Sequence, residues 1–224
     1  VTLAPTDDLR DTALAAGRDL EGATAHEVLA WAVETFGTRF AIASSMETGV
    51  LAHLASRVAP GIDVLFLDTG YHFAETIGTR DAIASVYDVN VVTITNGLPD
   101  DRLYERDVTA CCQARKVDPL DAALAPYLAW ASGVRRDESP ARSLTPVVGW
   151  DAKRGKIKVN PLATWTQDDV DAYVAEHGVL VNPLLSDGYP SIGCAPCTQR
   201  VAPGDDPRSG RWAGTGKTEC GLHA

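Results

Sequence analysis

The sequence predicts an α/β fold: a mostly parallel twisted sheet flanked by helices, followed by a flexible C-terminal tail. Two patterns carry that expectation. Short apolar runs alternate with segments of helical periodicity through the first part of the chain, as strand–helix–strand units around a parallel sheet do. Beyond Pro183 the chain is rich in Gly and Pro without clear periodicity, and a segment of that kind is usually functional or disordered rather than core.

The elements follow in order. Residues 7–36 read as helical, with Leu9, Ala13, Leu14 and Leu20, then Val28, Leu29, Trp31 and Val33. Thr24 with Glu27 makes a capping-box pattern before the second helix. Phe40-Ala41-Ile42-Ala43, Val64-Leu65-Phe66-Leu67 and Val91-Val92-Thr93-Ile94 read as strands, with helices around Val50–Val58 and Phe73–Tyr87. A further strand is expected at Tyr127–Ala131, a loop at Ser132–Pro146, short strands at Val147–Trp150 and Lys156–Val159, and a helix capped by Thr166 running to about Glu176. One domain is expected over residues 1–224: N-terminal helices in 1–37, the α/β core in 38–183, and a loop and tail in 184–224.

Composition narrows the class. With 224 residues, 45% hydrophobic and 22% charged, the chain is an ordinary soluble globular protein. No stretch approaches the roughly 18 apolar residues needed to span a membrane, and no secretory signal is visible at the N-terminus. Five cysteines, an odd number, argue against a secreted disulfide framework, so a cytoplasmic location is expected. The net charge of −10 disfavours nucleic-acid partners. That total is uneven: residues 1–100 hold 5 Lys and Arg against 14 Asp and Glu, whereas residues 101–224 hold 15 against 16. Most cations therefore share the half that holds every cysteine, and an anionic ligand is expected there.

The cysteines fall into four plus one. Cys111 and Cys112 are adjacent, and Cys194 and Cys197 form a Cys-x-x-Cys. Four thiolates can hold zinc or an iron–sulfur cluster. Adjacent side chains diverge and fit one tetrahedral ion poorly, whereas a cluster offers several iron corners, so the two pairs together favour a 4Fe–4S centre over buried free thiols. Cys220 lies among Gly216, Lys217, Glu219, Gly221 and His223, with nothing apolar near it to argue for a core role. Lys217 and His223 would favour its thiolate and Glu219 would oppose it; a casual surface thiol is the plain alternative.

Candidate anion contacts lie at strand ends. Ser44-Ser45-Met46-Glu47-Thr48-Gly49 joins a strand to a helix, a small polar turn presenting backbone N–H groups and a helix N-terminus. It lacks the Walker pattern, and an ordinary βα turn reads equally well. Asp68, Thr69 and Gly70 follow the next strand, where doubly wound sheets bind ligands. Arg135 and Arg136 follow another strand, with Arg142 close by, and Arg115 and Lys116 follow the cysteine pair. Lys156, Lys158, Arg208 and Arg211 are further cations; for the last two a solvated tail is the default.

Taken together, these residues resemble the adenylylsulfate (APS) reductases of sulfate assimilation, within the larger APS/PAPS reductase family. The markers are the Ser44–Gly49 turn, Leu67-Asp68-Thr69-Gly70, Cys111-Cys112-Gln113-Ala114-Arg115-Lys116, Arg135-Arg136-Asp137, Lys158-Val159-Asn160-Pro161-Leu162, Cys194-x-x-Cys197 and Glu219-Cys220-Gly221-Leu222-His223. The turn carries Thr48 where relatives often have an acidic residue. The resemblance implies an adenine nucleotide α-hydrolase-like fold, one 4Fe–4S cluster on Cys111, Cys112, Cys194 and Cys197, and Cys220 as nucleophile. It implies APS as substrate, AMP and sulfite as products and thioredoxin or a similar dithiol as electron donor. The implied substrate-binding set is Ser44, Ser45, Glu47, Asp68, Thr69, Gly70, Lys116, Arg136, Arg208, Arg211 and His223. The cluster is expected to position Lys116 rather than to carry the electrons. A PAPS or dual-specificity reductase, an ATP-dependent PP-loop thiolation enzyme and a non-catalytic zinc module are the alternatives. The oligomeric state, a homo-oligomer included, stays open.

Overall fold

The computed structural model describes residues 6–219 and 221–222. Seven α-helices and six strands are named among them: α1 Thr6–Asp19, α2 Ala25–Phe36, β1 Phe40–Ala43, α3 Val50–Val58, β2 Ile62–Asp68, α4 Ala74–Val86, β3 Val89–Thr95, α5 Val108–Cys112, α6 Asp118–Ala123, β4 Ala129–Ser132, β5 Val148–Asp151, β6 Lys156–Val159 and α7 Gln167–His177.

The strands form one sheet in the order β3-β2-β1-β4-β6-β5. All neighbours pair parallel except β5, which runs antiparallel to β6 at the edge. Side chains alternate between the two faces, as a pleated strand requires. Ile42, Val64 and Ala131 join the larger apolar cluster with α2 and α3, whereas Ala41, Leu65 and Trp130 join a smaller one with Leu120 and Leu124. Helix α1 packs on β5 and β6. It comes close at Gly17, where a Cβ would meet the Val148 carbonyl oxygen at 2.5 Å.

The expected order of elements is observed, with three differences. Strands β2 and β3 run longer than their apolar cores, because Ile62–Asp68 and Val89–Thr95 pair along their whole lengths, polar residues included. Strand β4 starts at Ala129 rather than Tyr127: the Tyr127 hydroxyl donates to Asp63 Oδ2 at 2.7 Å and Leu128 N to Arg39 O at 2.8 Å, which turns the chain before pairing begins. Helices α5 and α6 were not expected. Asp107 caps α5 by accepting from Thr109 N and Ala110 N at 3.0 and 2.9 Å, and a π-helical turn, Gln113–Val117, joins it to α6. These pieces are too short to show a period.

Residues 184–219 hold little regular structure yet are packed, with Leu184, Ser191, Ile192, Thr198 and Trp212 buried. Among the described residues no helix is long and apolar enough to cross a membrane.

Candidate active site

The chain runs from β1 outward to β2 and β3, then returns to place β4 on the other side of β1. That reversal opens a crevice at the carboxyl ends of β1 and β4, the usual ligand position in doubly wound sheets. A cleft of about 500 Å³ lies there, lined by Ser44, Ser45, Glu47 and Thr48 after β1 and by Gly133, Val134 and Arg135 after β4. The volume suits a nucleotide.

The turn after β1 is braced from outside. Met46 is fully buried with φ 59°, a left-handed conformation uncommon for a non-glycine residue. Asn182, also fully buried, donates from Nδ2 to Met46 O at 3.4 Å and to Thr76 Oγ1 at 3.0 Å, while its backbone N–H donates to Glu47 O at 3.0 Å. Burial pushes the Glu47 carboxyl above its ordinary range. The hydrogen bond from Ile192 N at 2.7 Å and the charges of Arg211 and Arg208 offset part of that rise.

Cations converge on the cleft from three segments: Lys116 in the π-turn, Arg135 and Arg142 from the loop after β4, and Arg208 and Arg211 from the tail. Arg211 donates from Nη1 to Ser191 Oγ and Ile192 O, both at 3.1 Å. Its guanidinium fills the space a side chain at Gly193 would need, with Nη2 2.7 Å from the position of a Cβ. Arg208 donates to Thr218 O at 3.2 Å. The two tail arginines are therefore anchored against the cleft rather than solvated.

A smaller cavity adjoins the cleft. Cys111, Cys112, Cys194 and Cys197 line it together with Thr69, Tyr71 and Arg115, and Lys116, Arg211 and Trp212 line both spaces. The turn after β2 joins the two cysteine segments. Thr69 Oγ1 lies 3.3 Å from Cys194 Sγ, and Ala195 N donates to Tyr71 O at 2.7 Å. From the other segment, buried Arg115 donates to Thr69 O at 3.1 Å and Asp101 Oδ1 at 3.0 Å, with its guanidinium over the Tyr71 ring. Burial, Cys194 and Cys112 push the Cys197 thiol up to about 11, against the charge of Lys116. Burial and the thiols of Cys112 and Cys194 raise Cys111 as well, against Arg115. None of the four is joined in a disulfide, and among the described residues no group of three or more His, Cys, Asp and Glu side chains is set to hold a metal ion. The donor set is thus four thiols lining one space, with Cys111 and Cys197 made harder to ionise by burial and by the thiols beside them.

The expected site residues divide accordingly. Ser44, Ser45, Glu47, Lys116, Arg208 and Arg211 line the cleft, and the four paired cysteines line the adjoining cavity. Thr69 faces the cysteines rather than the cleft. Asp68 accepts from Gly70 N at 2.9 Å and lies 3.9 Å from Arg80 Nη1; neither Asp68 nor Gly70 is among the cleft-lining residues. Arg136 turns away, paired with Glu21 at 2.6 Å and donating to Thr145 O at 2.7 Å, and its neighbours Arg135 and Arg142 take the cleft instead. Cys220 and His223 lie outside the described residues. Sequence reasoning did not single out Asn182 or Trp212. Asn182 precedes Pro183 in an otherwise unmarked stretch, and no local signal shows that it braces a turn 136 residues away.

Residues 39–200 match the phosphoadenosine phosphosulfate reductase domain family. The adenosine 5′-phosphosulfate reductase of Streptomyces coelicolor is 61% identical over 97% of this chain and 96% of its own length. That of Mycolicibacterium smegmatis is 52% identical over 100% and 98%. Among solved structures, a phosphoadenylyl-sulfate (PAPS) reductase from Candida auris, in a phosphate complex, superposes with a TM-score of 0.72 at 27% identity, covering 90% of this chain and 99% of that one. The Candida glabrata FMN adenylyltransferase, at 12% identity and a TM-score of 0.59 over 87% and 73% of the two chains, shares the fold alone. With identity this high along nearly its whole length, the chain belongs to the adenosine 5′-phosphosulfate reductases, within the wider phosphoadenosine phosphosulfate reductase domain family.

Proposed function

We propose that this protein reduces APS to sulfite and AMP in sulfate assimilation, with a dithiol such as thioredoxin as reductant and Cys220 as nucleophile. The observation that carries this reading is the shared wall: a nucleotide-sized cleft lined with cations opens beside four gathered thiols, with Lys116, Arg211 and Trp212 belonging to both.

The Cys220 thiolate attacks the sulfur of APS in line with the oxygen that bridges to AMP. An S–S bond forms, the S–O bond breaks, and AMP leaves with the electron pair. A reductant thiolate then attacks Cys220 Sγ. Sulfite departs with the electron pair of the broken S–S bond, and the second reductant thiol resolves the mixed disulfide. The dithiol supplies both electrons. An anion must approach a sulfate, so fixed cations have to offset the repulsion. One unit charge pair at ~4 Å in an effective dielectric of ~20 contributes roughly 4 kcal/mol, and Lys116, Arg142, Arg208 and Arg211 are placed to act.

Cys111, Cys112, Cys194 and Cys197 would hold a 4Fe–4S cluster, which takes four thiolates at separate corners and balances the charge they cannot otherwise carry together. The lining of one cavity by all four cysteines supports that donor set, and adjacent Cys111 and Cys112 suit separate corners of a cluster better than one tetrahedral ion.

Intact mass of the protein mixed with APS in the absence of reductant tests the covalent step. One added sulfite group on the wild type and none on Cys220→Ser is expected; an unmodified wild type that still turns over rules it out. Rates with APS and PAPS in competition decide substrate class, and a PAPS preference would reverse the assignment. Iron and acid-labile sulfide assays with absorbance near 400 nm test the cluster.

A further inference from the structure

The residues flanking Cys220 are held at four points, one of them the Thr218 carbonyl, which accepts from Arg208 Nη2 at 3.2 Å. Lys217 Nζ donates to Thr109 Oγ1 at 3.4 Å, on the helix that carries Cys111. On the other side of Cys220, Leu222 packs among the smaller apolar cluster, and its carbonyl accepts from Arg154 Nη1 at 3.2 Å. The fourth point is Glu219, directly before Cys220. Arg142 donates to both of its oxygens, from Nε to Oε1 at 2.9 Å and from Nη2 to Oε2 at 2.6 Å. Ser139 Oγ donates at 3.4 Å, and Arg208 Nη2 lies 3.4 Å from Oε2. The remaining face of Arg142, through Nη1, is paired with Glu138.

This is the bidentate fork by which a guanidinium grips an oxyanion. Arg142 and Arg208 both line the cleft, yet the chain's own carboxylate occupies the fork. Burial works against that carboxylate, but the hydrogen bonds and charge of Arg142 and the charge of Arg208 outweigh it and hold Glu219 below the ordinary glutamate range. Glu219 is thus a resident anion at neutral pH.

Building on the proposed function, we propose that Glu219 is a positioning residue that latches the nucleophile-bearing tail into the anion subsite, and that the acidic groups of APS compete with it for Arg142 and Arg208. Substrate entry then breaks the Arg142–Glu219 pair and releases Glu219, one of the four points at which the residues flanking Cys220 are held.

The test uses the full, reconstituted chain carrying Cys220→Ser to prevent turnover, with and without Glu219→Gln. The amide keeps the shape and removes the charge, and a neutral acceptor weakens a guanidinium pair by about tenfold. Two readouts are expected to move together. APS binds the Glu219→Gln protein about tenfold more tightly, and trypsin cleaves after Lys217 about tenfold faster without ligand. In the protein that retains Glu219, saturating APS accelerates that cleavage. Glu219→Asp, which keeps the charge, restores slow cleavage. Unchanged or weaker APS binding by Glu219→Gln, or protection of Lys217 by APS, overturns the latch and leaves the APS reading standing. If the protein retaining Glu219 binds no APS, the functional reading fails instead. Inorganic sulfate then serves as the probe: it must accelerate cleavage with Glu219 present and leave Glu219→Gln unaffected, and equal behaviour of the two sinks the latch.

Discussion

Replacing Arg115 with Met is expected to loosen both cysteine segments together. Met keeps most of the apolar stem and removes the guanidinium. The native side chain is 4% exposed, donates to Thr69 O at 3.1 Å, to Asp101 Oδ1 at 3.0 Å and to Pro99 O, and stacks over Tyr71. The substitution strands two backbone carbonyls and one carboxylate. Each buried acceptor left without a donor costs roughly 1–3 kcal/mol. Thr69 is buried, whereas Pro99 is exposed and Asp101 is 35% exposed, so the last two regain water and their shares are small. The sum is about 1–3 kcal/mol, which at an m-value of roughly 2 kcal/mol/M lowers the urea midpoint by about 0.5–1.5 M. The assay is urea unfolding of the metal-free protein, alongside absorbance near 400 nm after reconstitution. Thr69 ties Arg115 to Cys194, so iron retention should fall with the midpoint. Lys at this position keeps the charge but cannot span the acceptors, and should fall between the two. A Met variant with an unchanged midpoint and a full complement of iron would refute the reasoning.

Three other outcomes are expected. Gly193→Ala places a methyl 2.7 Å from Arg211 Nη2; the flexible guanidinium gives way, so the thermal midpoint should hold while KM for APS rises about tenfold, and an unchanged KM would remove Arg211 from substrate binding. Lys158 has a buried Nζ without a hydrogen-bond partner, lying over the Trp130 ring, and burial, with Arg154 and Arg142, depresses its pKa against the pull of Asp151. The unfolded chain therefore binds the proton that the fold releases, and stability rises with pH toward the ordinary lysine range. Lys158→Met should be roughly 1–3 kcal/mol more stable at pH 7, with the gap closing as pH rises; a less stable variant would show that the Trp130 contact outweighs desolvation. Metal binding must expel thiol protons, and Cys197 is pushed up to about 11, so cluster assembly at fixed iron and sulfide should improve by up to about tenfold per thiol per pH unit between pH 7 and 8; a flat dependence over that range would contradict it.

The sheet was legible because Phe40–Ala43, Val64–Leu67 and Val91–Ile94 are apolar runs too short for helices, and pairing then fixed where their carboxyl ends lie. The cysteine pairs were legible from spacing alone. What sequence could not supply was direction. Thr69 sits at a strand end, as substrate ligands do, yet the turn swings it toward Cys194 because Tyr71 O receives Ala195 N. Of the adjacent pair Arg135 and Arg136, only the first faces the cleft, while the second is drawn to Glu21 on the far N-terminal segment. The tail read as structureless because its order rests on single long-range contacts, such as Arg211 against Ser191 and Trp212 N to Cys197 O, which leave no periodicity. Asn182 was invisible for the same reason.

A chain with a net charge of −10 can still build an anion site, since charges beyond a Debye length of about 8 Å are screened and the local balance decides. Around the cleft, Lys116, Arg135, Arg142, Arg208 and Arg211 face Glu47, Glu138 and Asp171. Burial weakens the negative contribution of Glu47 by shifting it toward its protonated form. Glu138 pairs with Arg142, and Glu219 is shared by Arg142 and Arg208, so resident carboxylates already offset part of the field that these two arginines present to an incoming anion. Two of the five cleft cations, Lys116 and Arg211, also wall the cysteine cavity. The positions of the thiol segments and the strength of the anion site are therefore set by the same side chains, and a change that displaces one displaces the other.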